Sequence, residues 1–227
     1  MKFNKKKVFV SALAISLIAI LSFSTLAWFK DSDFVENDFM ITDSEQVTDP
    51  DDVFSINIYE TAVDEDGNVL KDNAGNDLIT ETGNTYDNIA PGDVLKKDPT
   101  IVNTGLYDQW VRVKVTVTNA SAWLALVNKY NLVLERDLFT EFDNDAWQSE
   151  GAATPDANDE ITFTYYLKDV LPAGDSITMF TNVTIPSSFN QEDMASIKDF
   201  SLKLVAEACQ VENTKDNAFD AFEFVGM

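Results

Sequence analysis

Apolar and polar residues alternate with period two in several stretches of the chain. Val111, Val113, Val115 and Val117 are interleaved with Arg112, Lys114, Thr116 and Thr118. Ile161, Phe163, Tyr165 and Leu167 alternate with Thr162, Thr164, Tyr166 and Lys168, and Phe54, Ile56 and Ile58 repeat the pattern near the start. Phe200, Leu202, Leu204, Ala206 and Ala208 alternate with Ser201, Lys203, Val205, Glu207 and Cys209. Such spacing places one face of a strand against a core and the other toward water. Ser176 to Ile185 is a further β-rich run, ended by Pro186, and Thr100–Val102 and Leu132–Leu134 are shorter candidates.

Turn residues punctuate these runs. Asp66-Gly67-Asn68 and Asn73-Ala74-Gly75-Asn76 read as hairpin tips, and Ala90-Pro91-Gly92-Asp93 and Leu171 to Asp175 as tight turns. Gly151 to Asp159 reads as an exposed loop. Two short helices fit the pattern, at Ala122–Tyr130 and at Ser188–Ile197, the second with Glu192 and Asp193 in its early part. Strands with minor helices predict a mainly β fold, a jelly-roll-like antiparallel sandwich with one or two short helices over residues 46–227.

The N-terminus has a different pattern. Lys2, Lys5, Lys6 and Lys7 precede an apolar run from Val8 to Phe23, followed by Thr25-Leu26-Ala27. This order predicts a signal peptide over residues 1–27, cut between Ala27 and Trp28. The run is long for a signal and short for a membrane span, so an uncleaved anchor is the alternative. The mature chain would then open with residues 28–45. These carry Trp28, Phe29, Phe34, Val35, Phe39 and Ile41 at the point where export processing ends. Such a strand can close its own sandwich or fill a gap in a neighbour's sheet by β-strand addition. Head-to-tail exchange of this kind propagates into a filament.

Composition narrows the chemistry. The chain has 16 Lys and Arg against 39 Asp and Glu, and loss of the four signal lysines leaves a balance of −27. This charge repels nucleic acid and anionic lipid, and its plainest role is solubility. With one cysteine, Cys209, no internal disulfide forms, and the thiol reads as a small strand residue or an intermolecular link. The absence of histidine removes the commonest general base and zinc ligand. Asp64, Asp66 and Asn68 invite a calcium reading, but Val69 stands where the calcium-loop glycine belongs, and acidic hairpin tips are usually solvated. No cofactor motif is present, and scattered carboxylates place no glycosidase pair.

Against this background Thr25-Leu26-Ala27-Trp28-Phe29-Lys30-Asp31-Ser32-Asp33 resembles the junction cut by SipW-type signal peptidases. Ile101–Gly105 leading into Trp110–Val113, Tyr165-Tyr166 through Leu171–Asp175 to Phe180, and Val205–Gln210 resemble segments of the TasA/camelysin family, which includes BsaA-type biofilm matrix proteins. The resemblance implies a secreted jelly-roll subunit of extracellular fibres, and the absence of histidine adds the expectation that it is not an enzyme. Its partners would be further copies of itself, the signal peptidase, and other matrix proteins or polysaccharide. Residues 28–41 would be the donor strand. The protease activity described for camelysins finds no H-E-x-x-H motif here. A non-polymerising adhesin or accessory protein, and more remotely a secreted hydrolase, are the competing expectations.

Overall fold

Sustained alternation becomes strand throughout the computed structural model, which describes residues 30–37, 54–151 and 153–226, the first of these segments by its backbone. In chain order the strands are β1 (Lys30–Asn37), β2 (Ile56–Thr61), β3 (Ile79–Thr80), β4 (Val94–Lys96), β5 (Thr100–Asn103) and β6 (Gln109–Val117). They continue with β7 (Phe139–Thr140), β8 (Trp147–Ser149), β9 (Ile161–Leu167), β10 (Ser176–Thr178), β11 (Asn182–Thr184) and β12 (Leu202–Gln210). The helices are α1 (Ala120–Tyr130), α2 (Gln191–Ser196) and α3 (Ala218–Phe224), and Leu134–Leu138 forms a π-helical turn. The fold is mainly β, with antiparallel sheets and few short helices.

The largest sheet runs β1-β12-β6-β9-β8. Val111, Val113 and Val115 of β6 are fully buried, with Ala208, Ala206 and Leu204 of β12 opposite them. On the other side Tyr165 and Phe163 of β9 face Val113 and Val115. β-Branched valines pack well on a pleated, half-buried surface, which suits β6 to its central place. A second sheet runs β10-β5-β2-β3 and a third β4-β11-β7. β2 lies against β1 and β12, so Ile56, Ile58 and Ile101 close one apolar core with the valines of β6. The layers are thus sandwich-like.

A buried corner links the layers. Asn103 donates through Nδ2 to the carbonyls of Tyr107 and Leu171, each at 2.9 Å, and accepts the Gly105 N–H at 3.0 Å. A Cβ at Gly105 would lie 2.9 Å from the Ser55 amide nitrogen, so the backbone approach there requires glycine.

The structure departs from the sequence expectations in four places. Leu132–Leu134 is not a strand; the chain enters the π-helical turn instead. The run 176–185 is two strands in different sheets, β10 and β11. Met179 and Phe180 between them are both fully buried, which one flat strand with a solvated face does not allow. The helix expected from Ser188 starts later, because Asn190 is its cap and forms a capping box with Asp193. Lastly, α3 was not expected. It covers the outer face of the large sheet, burying Ala221 and Phe222 with Trp110, Tyr166 and Cys209. The Arg112 guanidinium lies 4.4 Å over the Phe222 ring while its Nε donates to Glu207.

Candidate functional site

The first region of interest is the edge strand β1. It pairs with β12 over all eight residues, from Lys30 opposite Cys209 to Asn37 opposite Leu202. Phe34 lies opposite Val205 and Val35 opposite Leu204. Trp28, Phe29, Phe39 and Ile41, also expected in the donor strand, lie outside the described residues, as do the signal segment and Ala27. The paired stretch KDSDFVEN is the polar middle of the N-terminal segment, and only Phe34 and Val35 are apolar. The attachment that the described backbone shows is the main-chain ladder with β12.

A second region was not anticipated from the sequence. The alternation Phe54, Ile56, Ile58 continues to Glu60, so a carboxylate takes the next core position of β2, with 0% exposure. Lys97, just past β4, is 2% exposed, and its Nζ donates to Glu60 Oε1. Asn84, in the loop after β3, is 6% exposed and donates through Nδ2 to Glu60 Oε2 at 3.3 Å. The Asn84 carboxamide is held on both sides. Its Oδ1 accepts the Val63 N–H at 2.9 Å, and Nδ2 also donates to the Thr61 carbonyl at 2.9 Å. Burial pushes the Lys97 ammonium well below its ordinary range, against the pull of Glu60. Tyr86 adjoins the group, its hydroxyl donating to the Lys96 carbonyl and held undissociated by burial. Asp98 is engaged elsewhere, accepting from the Thr61 N–H at 2.8 Å, the Thr61 hydroxyl at 2.6 Å and Lys96 at 3.0 Å. The signal in the sequence was Glu60 itself, a charged residue on the apolar phase of a strand.

Two other features stand apart from these regions. An apolar cavity of about 240 Å³ lies between α1, the π-helical turn and the end of the large sheet, lined among others by Trp123, Val127, Leu134, Phe139, Ile161 and Leu202. Glu135 on its wall accepts the Tyr165 hydroxyl at 3.0 Å. The acidic tips form two like turns. Asp64 accepts the N–H groups of Asp66 at 3.0 Å and Asn68 at 2.8 Å, and Asp72 accepts those of Ala74 at 2.8 Å and Asn76 at 2.9 Å. The Asn68 N–H is the main cause holding the Asp64 carboxyl below the usual range. Asp64 thus spends its oxygens closing its own turn with Asn68. Among the described residues no group of three His, Cys, Asp or Glu is placed to hold a metal. No described helix is long and apolar enough to cross a membrane.

No family model, curated protein or solved structure matches this chain.

The β1 edge offers main-chain hydrogen bonding to any extended strand that can replace it. The Lys97–Glu60–Asn84 cluster offers a buried amine, a proton carrier and a polarised carboxamide. A buried ion pair alone is a weak source of stability, because desolvation of both charges offsets their attraction.

Proposed function

We propose that the chain is a secreted structural subunit of extracellular, biofilm-matrix-type fibres, joined head to tail when the N-terminal strand of one copy takes the β1 place on the next. On this reading a SipW-type signal peptidase removes residues 1–27, the sandwich is of jelly-roll type, and the protein is not an enzyme. The observation that carries it is the β1–β12 pairing: a complete eight-residue ladder at a sheet edge, made by a strand with two apolar residues. The same ladder forms in cis or in trans, so exchange conserves nearly all of its hydrogen bonds. Sixteen residues, 38–53, link β1 to the first described residue of the sandwich. A chain of that length reaches on the order of 50 Å when extended, enough to place β1 on a neighbouring copy. The resemblance of residues 25–33 to a processing junction supports the same reading, since cleavage would free this strand.

The test is electron microscopy of chain 28–227 beside a chain lacking residues 28–41. Filaments are expected from the first and not from the second. Equal filament formation by both refutes the donor role, and a monomer that persists at every salt concentration favours a non-polymerising surface protein.

A further inference from the structure

We propose that Lys97 and Asn84 become joined by an intramolecular isopeptide bond, with Glu60 relaying the protons. The inference rests on the cluster alone and stands whether or not the chain forms fibres.

Each part of the reaction has a group in place. The nucleophile is Lys97 Nζ, and a desolvated lysine gives up its proton readily and becomes a free amine. Its hydrogen bond to Glu60 Oε1 gives that proton a destination. The electrophile is Asn84 Cγ, whose Oδ1 already accepts the Val63 N–H at 2.9 Å. That donor stabilises the negative charge that develops on the oxygen when the carbon is attacked. The leaving nitrogen, Nδ2, lies 3.3 Å from Glu60 Oε2, the second oxygen of the same carboxyl. One carboxyl therefore touches both the amine that must lose a proton and the amide nitrogen that must gain one.

The atoms balance without a co-reactant. Proton transfer from Lys97 leaves Glu60 as the acid and Nζ as the amine. Nζ adds to Cγ, forming a C–N bond and a tetrahedral centre. Glu60 gives its proton to Nδ2 and takes one from Nζ. The Cγ–Nδ2 bond breaks, ammonia leaves, and the carbonyl reforms as a secondary amide between Lys97 and Asn84. Nothing is oxidised or reduced.

Burial serves the reaction twice. It holds the partners together, which replaces a bimolecular encounter with an intramolecular one. It also excludes water, so hydrolysis does not compete. Asp98 cannot replace Glu60, because its oxygens are taken by Thr61 and Lys96.

Intact-mass spectrometry of the folded, incubated chain under denaturing conditions tests this. The wild-type chain is expected to be lighter than its sequence mass by one ammonia. Tryptic fragmentation should then show the peptide carrying Asn84 joined to the one carrying Lys97. Glu60→Gln and Lys97→Met should each run at full mass. A wild-type chain at full mass overturns the proposal, as does an ammonia loss that maps to a cyclised asparagine elsewhere. A linked peptide in Glu60→Gln overturns the role of Glu60. The wild-type measurement decides even where a variant does not fold.

Discussion

Asp193 illustrates how much one side chain can carry. It completes the capping box of α2, accepting the Asn190 N–H at 3.0 Å, and it also takes Lys129 and the Tyr130 hydroxyl, each at 2.7 Å, from the end of α1. The Lys129 hydrogen bond, with those of Tyr130 and the Asn190 N–H, pulls its carboxyl down to about 2. A carboxyl lowered on folding stabilises the native state above its unfolded value, and that contribution fades as pH falls through the folded one. Wild type should therefore lose its stability advantage over Asp193→Asn between about pH 4 and about 2. Calorimetric melting midpoints would show the gap closing in that window, and a gap unchanged from neutral pH to pH 2 contradicts the assignment. The acidic pair Glu192 and Asp193 near a helix start was legible, whereas the cap itself, Asn190, was not: the sequence pointed to Ser188. Nor was the tie to α1 legible, because Lys129 and Asp193 are brought together only by packing.

Among the elements, α3 changes the reading of the large sheet most. Alternation assigned Tyr166 and Cys209 to the watery face, yet both are buried beneath Phe222 and Ala221. Burial pushes the Cys209 thiol up to about 12, so a link to another chain would require this face to open. In the native protein Cys209 should not react with a thiol reagent. Phe222→Ala should cost about 3–5 kcal/mol and bring the thiol into reach. Rapid native labelling of wild type would contradict the packing described. The helix had a sequence signature: Asn217 as cap, its side chain accepting the Asp220 N–H at 2.9 Å, then Ala218, Ala221 and Phe222 on one side. Seven residues are too few for helical periodicity to stand out, and such a helix takes its stability from the surface it covers. By contrast, β6, β9 and β12 were legible almost to their ends, since four or more alternating apolar positions in each allow one register against a core.

For the molecule as a whole, charge is the dominant surface property. The balance of −27 on residues 28–227, 12 Lys and Arg against 39 Asp and Glu, sets copies against each other, so any assembly must overcome repulsion at each junction. Repulsion between exposed charges is screened over about 10 Å at 0.1 M salt. Assembly of chain 28–227 should therefore quicken as sodium chloride is raised from low millimolar levels, followed by light scattering. Slower assembly with added salt would mean that opposite charges, not a strand ladder, join the copies.

Local pattern was enough to point to a mainly β protein with a valine-rich strand, two minor helices before the last strand, and tight acidic turns; that the valine-rich strand is central to its sheet came only from the structure. Those features depend on neighbours a few residues apart. The meeting of Glu60, Lys97 and Asn84, the burial of Cys209, the splitting of 176–185 between sheets and the place of β1 beside β12 depend on strands distant in sequence. Contacts of that kind follow from how the layers stack, because periodicity tells which face of a segment is buried but not which distant segment lies across the core from it.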